Sequence, residues 1–229
     1  MQPKTWSFAV VLLALSGCAP SNPGIEIEGL LSPTDACTYT TSTTAVFLGQ
    51  PLLDTTLDPM RVGGIRYTAA LQLVNRMLNL SNSVYPLTTD TNSFHVREAE
   101  VELRGLDGAP LAVGDLPARF RVPASGFIPS ATSDTESGRG VAFVDVVPSV
   151  YGEALAGSEG TILVAVTLTG TTSGDSTQTT GELQFPLQLC TGCLFQCAVT
   201  EDGEPIPEPV SSCAPGQDSL SLIPCPTAP

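Results

Sequence analysis

Strict alternation of apolar and polar side chains is the feature that most restricts the fold of this chain. In the segment EAEVELR, residues 98–104, the side chains of Ala99, Val101 and Leu103 all fall on one face of an extended chain. The same period of two recurs in TILVAVTLTG, residues 161–170. A strand with this pattern buries one face and leaves the other in water, which is typical of antiparallel sheets.

Turn signals divide the chain into about eight segments of this kind. Asp107-Gly108 is a strong hairpin signal, and Pro186 predicts an edge position or a bulge because proline cannot donate to a strand ladder. The Ala and Leu content of residues 66–75 leaves a helix as the alternative there. The predicted strands are 37–48, 66–75, 98–104, 111–113, 118–122, 140–147, 161–170 and 180–190, with a short helix within 148–157.

These strands predict an all-β fold of two antiparallel sheets packed face to face, an immunoglobulin-like β-sandwich over residues 35–197. A closed barrel is the alternative architecture. Residues 18–34 have the composition of a tether that precedes the domain. Residues 198–229 form a Pro-rich tail with little apolar content.

The N-terminus has the organisation of an export signal. In MQPKTWSFAVVLLALSG, residues 1–17, the single cation Lys4 precedes an apolar run that ends in small residues. The run is too short for a permanent membrane span, which needs about 20 apolar residues.

The four residues Leu15-Ser16-Gly17-Cys18 resemble the lipobox of bacterial lipoproteins. The resemblance implies diacylglycerol on the Cys18 sulfur, cleavage before Cys18 and acylation of the new N-terminus. In that family an Asp after the cysteine often retains the protein at the inner membrane, so Ala19 favours an outer-membrane lipoprotein that faces the periplasm or the cell surface. An ordinary signal peptide with an incidental cysteine is the alternative.

The charge balance excludes one class of partner. The chain carries 9 cations against 23 acidic residues, and cleavage before Cys18 removes its only lysine, Lys4. A chain this acidic repels phosphate backbones, so we expect no nucleic-acid partner. We also expect membrane contact through the lipid anchor at Cys18 alone, since no basic patch is available for anionic lipids.

The other six cysteines predict three disulfides in an oxidising compartment. If the last strand stays extended through Cys193, the Cα atoms of Cys190 and Cys193 lie about 10 Å apart, which is too far for a disulfide between them. If Cys197 is likewise kept out of internal pairs, each cysteine of LCTGCLFQC pairs outside this cluster, and Cys37 with Cys190 or Cys193 is the favoured pair. A tight turn at Thr191-Gly192, which Gly192 permits, is the alternative. The six disulfide cysteines are Cys37, Cys190, Cys193, Cys197, Cys213 and Cys225.

Two other interpretations of this cluster are weaker. A structural zinc site needs a second cysteine pair, whereas Cys213 and Cys225 are far apart in sequence and the only histidine, His95, is distant. A redox Cys-x-x-Cys motif usually begins a helix, whereas Cys190 ends a predicted strand. We therefore expect no metal and no cofactor.

Catalytic motifs are also weak. A Ser-His-Asp arrangement would rest on His95, at the start of a predicted strand. The alternating acids Glu98, Glu100 and Glu102 have the spacing of a solvated strand face. Two loops, residues 90–92 and 134–136, have side chains that could bind calcium, but neither has the EF-hand pattern.

These observations predict a non-enzymatic, lipid-anchored exported protein with an interaction or structural role in the cell envelope. Its partner is an unidentified protein or polysaccharide, although the mature chain has no Trp for stacking on sugars, since the one Trp is Trp6. One alternative is a carboxylate-based hydrolase of an envelope or extracellular polymer, with two carboxylates from different strands. Another is an inhibitor-like module that presents the disulfide-bonded tail.

Overall fold

A computed structural model describes residues 24–56, 64–79, 90–133, 135–198, 213–214, 216–218 and 221–224. Nearly all of its regular structure is β, with one short helix. The elements are β1 Ile25–Leu30, β2 Leu52–Asp54, β3 Tyr67–Asn75, β4 Phe94–Arg104, β5 Arg119–Ile128, β6 Gly138–Val147, α1 Ser149–Ala154, β7 Gly160–Thr172, β8 Thr177–Thr179, β9 Leu183–Cys190, β10 Phe195–Ala198 and β11 Ser221–Pro224.

One continuous nine-stranded sheet carries the fold. Its order is β1-β3-β6-β5-β4-β7-β9-β2, with β8 on β7, and all pairs are antiparallel except β2 with β9. β10 and β11 form a separate parallel pair. The sheet curls into a half-barrel, so the prediction of an immunoglobulin-like sandwich is not confirmed. The physical reason is that strand twist accumulates along one ladder and brings the sheet round onto its own inner face.

The concave face of this sheet is filled with apolar side chains. The period of two directs every second residue inward, as Val101 and Leu103 on β4 illustrate. Among the largest side chains with almost no exposure are Ile25, Tyr67, Leu71, Phe94, Leu103, Ile128, Leu168 and Leu187.

Most of the strongly alternating segments form the predicted strands. Residues 66–75 contain β3 and form no helix, residues 161–170 lie within β7, and α1 lies within 148–157. Pro186 lies on β9 before the first residue that pairs with β2. On the side away from β7 it therefore occupies an edge position.

Several segments differ from prediction. Residues 111–113, predicted as a strand, form no strand and carry only the isolated bridge from Val113 to Leu116. β2, β8, β10 and β11 lie outside the predicted strands. Residues 37–48 form an irregular loop with one isolated bridge, Leu31 to Phe47, although their β-branched content favours a strand. Residues 25–30, placed in the tether, form strand β1 and pair with β3. Ile25 is buried and Glu26 is half-buried, so this short segment also alternates.

The tail closes one side of the curled sheet. Gly216 accepts a hydrogen bond from the Asp54 N–H at 2.9 Å, and the Asp218 N–H donates to the Leu52 carbonyl at 2.9 Å. Residues 216–218, which we call the seam, therefore continue the sheet beyond its last strand, β2.

The same residues reach the other side of the gap. The Gln217 side chain pairs with the backbone of Thr68 on β3, since its Oε1 accepts the Thr68 N–H at 2.9 Å and its Nε2 donates to the Thr68 carbonyl at 2.7 Å. The Tyr67 hydroxyl donates to Asp218 at 2.6 Å. The seam thus joins β2 to β3, which are far apart in the sheet order.

The antiparallel register gives the half-barrel two distinct ends. At one end, three strands begin (β1, β4 and β6) and three strands end (β3, β5 and β7). We call this end the Gly24 pole and the opposite end the disulfide pole. The Gly24 pole contains Gly24 and residues 76–79, 90–93, 129–133 and 173–175. The disulfide pole contains residues 54–56, 105–118, α1, 190–194, 213–214 and 216–218.

No helix in the described part of the chain combines the length and apolar character that a membrane crossing requires.

We predict that Gln217→Ala lowers the free energy of unfolding by about 1–3 kcal/mol, because the buried N–H and C=O of Thr68 lose their partner. Urea denaturation followed by circular dichroism measures the change. Gln184→Ala, at an exposed position on β9, is the matched control. A loss no larger than that of the control would contradict a sheet-closing role for the seam.

Candidate functional site

The cysteines pair differently from the sequence prediction. Cys37 is bonded to Cys213, with Cα atoms 5.1 Å apart, and Cys190 is bonded to Cys193, with Cα atoms 5.9 Å apart. The preference for Cys37 with Cys190 or Cys193 is therefore wrong. The premise that Cys190 and Cys193 cannot pair is also wrong, because β9 ends at Cys190 and Gly192 adopts a φ of 67°, which turns the chain back.

Three of the predicted site cysteines are not part of these two disulfides. Cys18, the expected lipidation site, and Cys225 lie outside the described residues. Cys197 lies in β10, opposite Ile223 of β11. With two disulfides formed, Cys197 and Cys225 are the pair left for the third, which stays a prediction.

A buried carboxylate organises the loop that the Cys190–Cys193 disulfide closes. Asp54 ends β2 with no exposed surface. Its Oδ1 accepts the N–H groups of Thr56 at 2.9 Å and Gly192 at 3.0 Å, and its Oδ2 accepts the Leu194 N–H at 2.8 Å. Burial alone would raise the pKa of Asp54, but these backbone donors outweigh it and hold the pKa below its ordinary value.

Asp54 and the two sulfurs are the grouping among the described residues that most resembles a metal site. One ligand atom from each of Asp54, Cys190 and Cys193 lies within 4.8 Å of the others. A disulfide, however, offers no thiolate to a metal, and Asp54 already accepts three backbone N–H groups. The carboxylate also disfavours a neighbouring thiolate, which makes Cys190 a poor redox thiol. The arrangement is chemically that of a structural loop closure.

The second disulfide holds a long loop across the outside of the sheet. Residues 32–48 leave β1 and fold back over β3, where the Gln72 side chain pairs with the backbone of Ser42: its Oε1 accepts the Ser42 N–H at 3.2 Å and its Nε2 donates to the Ser42 carbonyl at 2.9 Å. Gln72 is fully buried under the loop. The Cys37–Cys213 bond then ties this loop to the seam.

Apolar side chains lie exposed on and beside this loop. Val46 is 72% exposed, and the ring of Phe47 lies against Gly29 of β1. Phe143 of β6 stands opposite Ala70 of β3, is 41% exposed and meets the Tyr39 ring at 5.4 Å. Phe127 lies two residues along β5 from the partner of Phe143. We call Val46, Phe47, Phe127 and Phe143 the outer apolar surface.

The acidic face of β4 is paired with arginines. Glu102 accepts hydrogen bonds from Arg104 at 2.5 Å and from Arg119 at 3.0 Å, and these bonds hold the pKa of its carboxyl below its ordinary value. Arg121 bridges Glu98 and Glu100 across the β4–β5 ladder. General acid catalysis needs a carboxyl with a raised pKa, and the pKa of Glu102 is shifted in the opposite direction.

The described carboxyl with a raised pKa is Asp218 in the seam. Burial raises its pKa, although the Tyr67 hydroxyl and the Leu52 N–H donate to it. The cavity beside it has a volume of about 10 Å³, which is room for one water molecule and no substrate.

His95 and the candidate calcium loops have ordinary structural contacts. The His95 ring packs on Phe127 with centroids 5.1 Å apart, and its Nε2 lies 3.5 Å from the Ser173 hydroxyl. None of the described carboxylates is hydrogen-bonded to His95, as a Ser-His-Asp arrangement requires.

In the first candidate calcium loop, Asp90 accepts the hydroxyls of Ser93 and Ser130 and the Asn92 N–H, so its oxygens are already engaged. In the second loop, Glu136 accepts the Thr132 hydroxyl at 2.9 Å, whereas Asp134 lies outside the described residues.

We predict that the two disulfides contribute very unequally to stability. The Cys37–Cys213 bond joins residues 176 apart and the Cys190–Cys193 bond joins residues 3 apart. In the chain-entropy model the long loop contributes about 5 kcal/mol and the short one about 2 kcal/mol. Guanidinium unfolding of the two double Cys→Ser variants measures this difference, and equal losses would contradict it.

We predict that Asp54→Asn destabilises the protein at neutral pH by about 2 kcal/mol, because an amide NH₂ then faces backbone N–H donors. The folded-state pKa of Asp54 is below the unfolded value of about 3.9. Its contribution is therefore complete above that value and is lost as the pH falls through the folded pKa. Unfolding curves from neutral to acidic pH should converge with those of the wild type, whereas the exposed control Asp115→Asn should follow the wild type throughout.

Comparison with known proteins assigns no family. The chain matches no protein-family model, and comparisons with curated proteins and with solved structures give no match. Functional inference therefore depends on the residues of this chain alone.

Proposed function

We propose that the chain is a lipid-anchored exported protein without enzymatic activity, with an interaction or structural role in the envelope of a bacterial cell. The Leu15-Ser16-Gly17-Cys18 lipobox supports an acyl anchor at Cys18, and Ala19 supports the outer membrane. The two disulfides fit an oxidising compartment, where such bonds persist.

The observation that carries the interaction role is the outer apolar surface, of which Val46 and Phe47 lie on a firmly held loop and Phe127 and Phe143 lie on β5 and β6. Aromatic side chains and exposed apolar groups are typical of contact surfaces, whereas an isolated domain gains nothing from leaving them in water. The Cys37–Cys213 bond and the Gln72–Ser42 pairing hold the loop in place. A surface that is already ordered loses little entropy on binding, which favours affinity.

Charge supports the same choice of surface. On β4 and β5 the carboxylates and guanidinium groups neutralise one another, so this face offers little net field to a partner. The apolar surface lies on the neighbouring part of the sheet, where Phe143 and Phe127 project from β6 and β5. We infer that a protein partner meets the chain there, through apolar contact.

The alternatives have less support. A carboxylate-based hydrolase needs an open site with a protonated acid, whereas Asp218 lies beside a water-sized cavity and Glu102 is ion-paired. For an inhibitor-like module, residues 199–212 of the tail lie outside the described residues, and residues 216–218 form the seam.

We predict that Phe143→Asp and Val46→Asp each weaken binding to a partner captured with the native lipoprotein from membranes. The expected change in Kd is about tenfold or more, since a charge within an apolar contact costs at least about 1.4 kcal/mol. Leu106→Asp is the matched control, because Leu106 is 70% exposed on a hairpin away from this surface. Titration of the purified partner measures the three constants. An unchanged Kd for both surface variants would refute the outer apolar surface as the contact.

A further inference from the structure

We propose that the Gly24 pole stands against the lipid surface and that the disulfide pole points away from it. This orientation rests on the proposed anchor at Cys18. It assigns one end of the half-barrel to the membrane and leaves the two disulfides at the exposed end.

The first step is the length of chain between anchor and fold. Five residues lie between Cys18 and Gly24, so six Cα-to-Cα steps separate the two. Six fully extended residues span at most about 20 Å. Gly24 itself is fixed, because its carbonyl accepts the Arg76 N–H at 2.8 Å, next to the start of β1. The Gly24 pole therefore cannot move farther than this from the membrane surface.

The second step is the length of the half-barrel. β4 runs from one pole to the other over 11 residues, and β7 returns over 13. A strand of 11 residues is about 36 Å long. The disulfide pole lies farther from Gly24 than the connecting segment can reach, so a lipid anchor at Cys18 excludes an orientation in which only the disulfide pole meets the membrane.

The third step is the distribution of charge. At the Gly24 pole, Glu26 is paired with Arg76 at 2.6 Å, and the Asp90 carboxylate accepts three hydrogen bonds within its own loops. Asp175 is the exposed acid among the described residues of this pole, and the exposed Glu136 lies next to it. The described residues at and next to the disulfide pole expose more acids, namely Asp35, Asp107, Asp115, Glu153 and Glu159.

An anionic lipid surface repels the more acidic end of a protein. The short segment between Cys18 and Gly24 and the repulsion between acidic side chains and anionic lipid therefore favour the same orientation. The exposed Leu78 lies at the membrane-facing pole, whereas the hairpin with Leu106 lies at the far pole. The Cys37–Cys213 and Cys190–Cys193 bonds become the part of the protein that a soluble partner or an opposing layer of the envelope meets first.

The sequence supplies a clean test, because cleavage before Cys18 removes the single Trp of the chain, Trp6. Leu78→Trp and Leu106→Trp each place one tryptophan at one pole of the lipidated protein. The proteins are reconstituted in phosphatidylethanolamine–phosphatidylglycerol vesicles that contain a dansyl-headgroup lipid. We expect energy transfer from tryptophan to dansyl to be severalfold greater for Leu78→Trp than for Leu106→Trp.

A second pair of variants controls for local effects of the first two substitutions. Ser133→Trp lies at the Gly24 pole and Val150→Trp at the disulfide pole, and both positions are exposed. Equal or reversed transfer within both pairs, in protein that floats with the vesicles, overturns the orientation. Protein that does not float, and whose N-terminal mass lacks diacylglycerol at Cys18, overturns the anchor itself. Cys18→Ser provides the non-lipidated reference for both measurements.

Discussion

The pairing of the Gln217 side chain with the backbone of Thr68 is the contact on which the closed side of the half-barrel depends. A curled open sheet leaves two edges with unpaired N–H and C=O groups, and such edges invite pairing with other chains. The seam pairs with the β2 edge through Gly216 and Asp218, and through Gln217 with the start of β3, where β3 extends beyond its ladder with β1. The Cys37–Cys213 bond keeps the seam in reach, since it joins the tail to the loop that follows β1.

The seam and the Cys190–Cys193 loop are parts of one hydrogen-bonded arrangement. Asp54 donates its N–H to Gly216, while its carboxylate accepts the N–H groups of Gly192 and Leu194. One residue of β2 thus holds the tail on one side and the disulfide loop on the other. A buried carboxylate is costly unless it is hydrogen-bonded, and the sharp turn at Gly192 supplies the donors that make it stable.

Local patterns predict the strands of this fold better than their assembly. The alternation within β4 and β7 follows from burying one face, so it can be read from sequence, but the same pattern fits a sandwich, a barrel and a half-barrel equally well. β1 escapes prediction because six residues next to prolines look like a linker. The disulfide pairing is not predicted because it depends on one residue. Gly192 has a positive φ, and the turn that it makes brings Cys190 and Cys193 together. Asp54 and Gln217 carry no motif, since their importance comes from backbone groups remote in sequence.

The distribution of polar groups supports the proposed binding role. A curled sheet whose concave face is packed with Phe94, Leu103 and Leu168 leaves no polar lumen between its described strands. Polar side chains then fall on the convex face, where water screens them and where the arginines of β4 and β5 neutralise the glutamates. The remaining distinctive chemistry of the convex face is apolar, and an apolar convex surface is suited to contact with another macromolecule.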